Sequence, residues 1–202
     1  MLTQETRRDA FRRDGEHSVE GVLGDWVRKG QSRSTKRVYL VHRLDRDTSG
    51  VMMVAKTESV QDYFRSNWNE LTEKTYLARV EGAMDAPSGA FESYLREDEK
   101  ALKVKSVKNP EYGKFARTEW AVIDEEGGTS LVQVTLKSGR KNQIRVHFSE
   151  AGHPVLGDAK YGTRGSARQL CLHAWRLAFI HPRTHEKMTF EAPPPRWAEP
   201  KA

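Results

Sequence analysis

Nine consecutive residues, His42-Arg43-Leu44-Asp45-Arg46-Asp47-Thr48-Ser49-Gly50, put two carboxylates and two guanidiniums into one short loop that ends in a turn signal. Charges clamped between apolar segments are costly unless they are paired or used. Asp45 sits between two arginines, which favours its ionised form. An ionised, fixed carboxylate can act as a nucleophile or take a proton. A second segment, Ser138-Gly139-Arg140-Lys141-Asn142-Gln143-Ile144-Arg145-Val146-His147, carries a candidate cationic partner in Arg145. A third, Lys74-Thr75-Tyr76, offers a phenol. Taken alone, Arg145 reads as an exposed arginine and Tyr76 as a core aromatic of a strand.

These groups need elements to position them. Val38-Tyr39-Leu40-Val41 and Val51-Met52-Met53-Val54-Ala55 flank the acidic loop and read as short buried strands. Glu58 to Leu71 is the best helix, with Val60, Tyr63, Phe64, Trp68 and Leu71 on one face. From Lys74 to Glu81 the pattern alternates, with Tyr76, Ala78 and Val80 sharing a face. Phe115–Ile123 and Thr129–Leu136 are expected as strands joined at Glu125-Glu126-Gly127-Gly128. Asn142 is expected to cap a helix from Gln143 to Ala151 that Gly152 ends. On that helix Ile144, Phe148 and Ala151 form the apolar face. Arg145 shares a stripe with Ser149 and Gly152, whose small size leaves room for a guanidinium to cross a cleft. Leu170–Ile180 and Met188–Glu191 read as late strands. Many antiparallel strands with few helices give an α+β fold, a mixed, mostly antiparallel sheet flanked by helices and loops. A modest helical pattern, Val19 to Val27, and a basic connector from Lys29 to Lys36 precede it.

The 202 residues suit one domain. There is no apolar run long enough to span a membrane, and Met1 to Asp14 lacks a signal-peptide core. The single cysteine, Cys171, excludes an internal disulfide and fits a reducing cytoplasm. The net charge of +6 favours polyanionic partners. Lys103 and Lys105 alternate, which fits equally a solvated edge strand or a face toward nucleic acid. Arg46, Arg140 and Lys141 are candidate phosphate contacts. Histidines 147, 153, 173, 181 and 185 are scattered without zinc-ligand spacing, and no phosphate-binding glycine loop appears.

The acidic loop resembles the signature loop of RluA-type pseudouridine synthases. Further motifs follow in that family's order: Lys74-Thr75-Tyr76, Gly139-Arg140 through Gln143-Ile144-Arg145, Gly152-His153-Pro154 through Asp158, and Leu172-His173-Ala174. The resemblance spans residues 38 to about 195 and treats the last two segments as scaffold. It implies that Asp45 is the catalytic carboxylate and that Arg145 pairs with it. It further implies that Tyr76 stacks on the target base as a candidate proton acceptor, and that Arg43 fills the space the flipped base leaves. The implied reaction isomerises uridine in ribosomal or transfer RNA to pseudouridine, without metal or other cofactor, in a cytoplasmic protein taken as a monomer.

The chain departs from the resemblance in two places. Many relatives have Thr-His where Lys141-Asn142 stand, a change expected to alter the rim of the site more than its centre. Residues 1–37 are expected to be a partial N-terminal segment and connector that lack the family's usual first strand, with the catalytic domain at 38–202. Two other functions compete. A noncatalytic RNA-binding module is opposed by intact Asp45, Tyr76 and Arg145. A glycoside hydrolase using Asp45 and Asp47 would need two adjacent loop acids to face one substrate.

Overall fold

Alternation of apolar and polar residues builds one large sheet. The computed structural model describes residues 18–31 and 33–199; the expectations for residues 1–17 lie outside them. The first helix, α1 (Val19–Arg28), starts at Ser18, whose hydroxyl accepts from the Gly21 amide at 3.0 Å. Two short strands, β1 (Tyr39–Leu40) and β3 (Val54–Ala55), pair antiparallel on either side of the acidic loop, and β2 (Ser49–Gly50) closes that loop. The two flanking strands are shorter than the sequence suggests. Between them His42 Nε2, rather than a ladder carbonyl, accepts from the Met53 amide at 2.9 Å.

Helix α2 covers Glu58–Leu71, the span expected from its stripe. Thr57 caps it, and Val60, Tyr63, Phe64, Trp68 and Leu71 pack with Val41, Ala55 and Phe179. Then follow β4 (Thr72–Glu81), β5 (Ser88–Asp98), β6 (Lys103–Val107), β7 (Lys114–Glu126) and β8 (Thr129–Leu136). Next come α3 (Gln143–Glu150), β9 (Leu172–Ile180) and β10 (Lys187–Glu191). The order in the sheet is β10-β9-β4-β8-β7-β5-β6, and these pairs are antiparallel. Strand β2 adds to β9 in parallel, which makes the sheet mixed and the fold α+β. The β7–β8 turn is Gly127-Gly128, with φ of 58° and 71°, a conformation that favours glycine at both positions. Lys103 and Lys105 lie on β6, the edge strand of the sheet.

Helix α3 lies against the sheet, and residues Gln143 to Phe148 are all buried. Ile144 and Phe148 join Ala78, Val80, Val132 and Val134 in the main core. Val146 faces the other way, onto Leu95, Val104 and Ala116.

A bulge in β9 positions the chemistry. Thr75 pairs with Arg176 but Tyr76 pairs with Ala174, so Trp175 is the extra residue. Ala174 also pairs with Gly50 of β2, so Tyr76, Ala174 and Gly50 stand in one row across three strands. Gly50 has φ of 116°, and a Cβ there would lie 2.1 Å from the Ala174 carbonyl oxygen. Only glycine permits that approach. The acidic loop is thereby anchored beside Tyr76.

Candidate active site

The acidic loop, β4 and the start of α3 enclose a pocket of about 360 Å³. Its lining includes Asp45, Tyr76, Arg145, Arg43, Arg140 and Lys141. Arg46 is exposed and is not among the lining residues. Asp47 is also exposed and lines a second groove, so the two loop acids do not line one pocket. That removes the arrangement a glycosidase pair requires.

Asp45 opens a tight turn in which its carbonyl accepts from the Thr48 amide at 3.0 Å. Its side chain is 19% exposed. Arg145 approaches from α3, with Nη1 at 3.6 Å from Asp45 Oδ2. Far from being a surface arginine, it is 7% exposed overall. Its closest partner is one the sequence did not single out. Nε and Nη2 donate to the two oxygens of Asp158, each at 2.7 Å, and the Asp158 side chain is fully buried. The amides of Lys160 and Tyr161 donate to the same Asp158, each at 2.9 Å. Burial alone would raise the Asp158 carboxyl, but Arg145 and these amides outweigh it and hold it below the ordinary range. Desolvation would lower the Arg145 guanidinium, but its bonds to Asp158 and the nearby charges of Asp158 and Asp45 together outweigh it and push it up. Half of the signal was in the sequence, since an arginine near a helix start favours a carboxylate partner, but nothing there marked Asp158 as that acid.

Tyr76 lies under this group. Burial first, then the nearby Asp45 charge, raise its phenol well above the ordinary value, so it enters the chemistry protonated. Leu172, expected to be a core leucine, both joins the core and lines the pocket.

Two further lining residues, Lys74 and His42, were not read as functional. Lys74 donates to Asn69 Oδ1 at 2.8 Å and lies 6.0 Å from the Trp68 ring centroid. Burial, then Arg140, lower its ammonium to about 8. His42 stacks on Trp68 with centroids 4.6 Å apart, and burial, then Lys74, lower it to about 4. His42 is therefore a neutral wall at physiological pH.

The expected phosphate contacts on the rim are partly engaged. Arg140 Nε donates to the Phe115 carbonyl at 3.0 Å, and Lys141 pairs with Glu97. Gln143 locks the rim loop, accepting from Ser138 Oγ and the Arg140 amide and donating to the Arg117 carbonyl and Thr118 Oγ1.

Asn142 departs from expectation. It stands at the cap position of α3 with φ of 54°, but its side chain makes no capping hydrogen bond. Its amide instead donates to Asp45 Oδ2 at 2.6 Å. The departure at this position thus lies at the centre of the site, not only at its rim.

Comparison with known proteins agrees with this geometry. Residues 25–150 match the family model for RNA pseudouridylate synthase. The chain is 36% identical over 183 residues to the uncharacterized RNA pseudouridine synthase YlyB of Bacillus subtilis, covering 88% of this chain and 59% of that protein. It is 37% identical over 166 residues to ribosomal large subunit pseudouridine synthase C of Pasteurella multocida, covering 76% and 50%. The chain spans about half the length of the curated relatives it matches. Among solved structures, human RNA pseudouridylate synthase domain containing 4 superimposes with a TM-score of 0.75 at 21% identity, covering 91% of this chain and 82% of that one, and so shares the fold. Human domain containing 1 gives a TM-score of 0.68 at 25% identity, covering 77% and 69%. With family model, relatives and fold in agreement, the chain belongs to the RNA pseudouridylate synthase family, among its RluA-type members.

Proposed function

We propose that this chain isomerises uridine to pseudouridine in ribosomal or transfer RNA, with Asp45 as the catalytic carboxylate. The observation that carries this is Asp45, Arg145 and Tyr76 lining one pocket of a size suited to a single small ligand. A stacked duplex cannot present a nucleoside to a carboxylate at that depth, so the target base leaves its stack. Arg43, exposed at the pocket mouth, then occupies the vacated position.

In the reaction the N1–C1′ bond breaks, the uracil turns, and C5 bonds to C1′. The C5 proton passes to water and N1 gains one from water, so the sum is an isomerisation that requires no redox group. Asp45 acts either by attacking C1′, forming an ester whose carboxylate leaves as C5 bonds to C1′, or by assisting departure while taking the C2′ proton and returning it once C5 has bonded; both use one carboxylate oxygen. Arg145 holds that carboxylate in place. The Tyr76 ring packs on the uracil, and its protonated hydroxyl lies within the same wall. Lys74, two residues before Tyr76 on the same face of β4, supplies a partly desolvated cation to the pocket.

A second groove of about 800 Å³, which shares Arg145 with the pocket, is lined by Lys103, Lys160, Arg164 and Arg168, with Asp47 the acid among its described lining residues. With Arg140 and Lys141 on the other rim, cations flank the site on both sides, which suits a phosphate backbone entering and leaving. No helix among the described residues is long and apolar enough to cross a membrane. The naming of relatives for the ribosomal large subunit supports a cytoplasmic location, and we propose a monomer that acts without a cofactor.

The test is tritium release from RNA labelled at uridine C5, comparing wild type with Asp45→Asn. Wild type should release tritium to water, and Asp45→Asn should release none above background. Release by Asp45→Asn at the wild-type rate would refute the role of Asp45, and no release by wild type from total RNA would refute the activity.

A further inference from the structure

Among the described residues Asp45 Oδ2 receives two contacts, the Arg145 guanidinium at 3.6 Å and the Asn142 amide at 2.6 Å. The shorter one comes from a residue to which the reading above gives no role. We propose that Asn142 is a positioning residue for the reaction: it fixes Oδ2 of Asp45 and leaves Oδ1 to the ribose. The proposal rests on the isomerase reading.

Three observations support it. Asn142 is 7% exposed, so its contact with Asp45 is shielded from competing water. Its orientation is set at the other end, where Oδ1 accepts from Tyr161 Oη at 3.2 Å and from Lys160 Nζ at 3.4 Å. Two donors at that oxygen leave the NH2 group to face the carboxylate. Tyr161 is itself directed, since its hydroxyl accepts from the Val104 amide at 2.8 Å and so turns its proton toward Asn142. The chain of bonds runs from the β6 backbone through Tyr161 and Asn142 to Asp45. The turn that holds it also presents the Lys160 and Tyr161 amides to Asp158, the partner of Arg145. One loop therefore sets both contacts on Oδ2.

The backbone explains the residue type. At φ of 54° a side chain must tolerate the left-handed region, where asparagine, aspartate and histidine are enriched among non-glycine residues. Of these, asparagine and histidine donate a hydrogen bond to a carboxylate, and ionised aspartate does not. Asn142 also forgoes capping α3, which is usual for asparagine at this position. The side chain is diverted from the helix to the carboxylate.

The experiment compares N142D, N142H and the exchange variant D45N/N142D with wild type in two assays, tritium release and thermal melting. N142D keeps the size and backbone preference of asparagine but sets an acceptor against an acceptor. It should lower kcat by about 10²-fold with KM within about threefold, because substrate is bound but the carboxylate is misplaced. N142H keeps a donor and should recover kcat to within about tenfold of wild type. In melting, N142D should lower Tm by about 2–10 °C, and D45N/N142D, which swaps donor and acceptor, should recover most of that loss while remaining inactive.

An active wild type whose N142D variant stays within threefold in kcat overturns the assignment alone. So does an N142H variant no better than N142D, or an exchange variant that melts no higher than N142D. A wild type that releases no tritium overturns the isomerase reading, and the positioning role with it.

Discussion

Replacing Asp158 by Asn tests whether the site is built on a buried ion pair. The Arg145 side chain is 9% exposed and that of Asp158 is not exposed at all, with two 2.7 Å bonds between them. In Asp158→Asn the amide oxygen can keep the Oδ1 partners, which are Arg145 Nη2 and the Lys160 and Tyr161 amides. The new NH2 group then meets Arg145 Nε donor to donor. One charge-assisted bond is lost, about 1.5–3 kcal/mol, and the buried arginine keeps, among the described residues, Asp45 at 3.6 Å as its one acidic partner. Breaking a buried pair from one side costs about 3–5 kcal/mol, so the lower part of that range is expected here. For a chain of this length the loss corresponds to a Tm drop of roughly 6–15 °C.

The assay is thermal melting monitored by circular dichroism at pH 7 and again in acid. The folded Asp158 carboxyl lies below its unfolded value of about 3.9, so its stabilisation is complete above that value and is lost as pH falls through the folded one. The gap between wild type and Asp158→Asn should therefore narrow as the pH drops below about 4. A Tm change under about 2 °C at pH 7, or a gap that does not depend on pH, would refute the reasoning.

Two other perturbations probe the frame around the site. Gly50→Ala forces a Cβ to 2.1 Å from the Ala174 carbonyl oxygen at a φ of 116°, and should cost at least about 2 kcal/mol and most of the activity; an unchanged urea midpoint would show that β2 does not depend on that approach. His42, lowered to about 4, binds fewer protons folded than unfolded between there and about 6.5. Its contribution is complete above about pH 6.5 and fades as pH falls to about 4, so His42→Gln should flatten the rise in stability over that window, as measured by urea midpoints; an equal slope in both proteins would contradict it.

How much of this was legible in the sequence depends on whether the signal was local. The α2 stripe decides its own helix, because five apolar residues at helical spacing have one way to be buried. The β7–β8 turn is equally local, since two adjacent glycines supply both positive φ values. Strand β5 went unassigned, and the reason is tertiary. Its Gly89 exists because the Trp120 indole lies on it, with a Cβ there only 2.7 Å from the ring. In the sequence that glycine reads as a break. The cap at Asn142 failed for a similar reason. Residue type and spacing both suggested capping, and only a carboxylate from a distant loop explains why the amide turns away. Asp45 was legible because its loop is dense in charge. Asp158 was not, because nothing in its own segment shows that Arg145 folds back onto it.

The pairing of Arg145 bears on how Asp45 can react. One guanidinium stands between two carboxylates and does not treat them alike. Asp158 takes two aligned bonds and three donor groups in all, whereas Asp45 receives one ionic contact at 3.6 Å. A carboxylate held by a bidentate arginine has its lone pairs engaged and its position fixed. That state suits Asp158, whose task is to stiffen the cation. It would hinder Asp45, which must present an oxygen to carbon or to a proton. By satisfying the arginine with a second acid, the fold keeps a positive charge beside Asp45 without consuming the oxygen that reacts. The Asp158 turn, read from sequence as scaffold, is therefore part of what makes Asp45 usable.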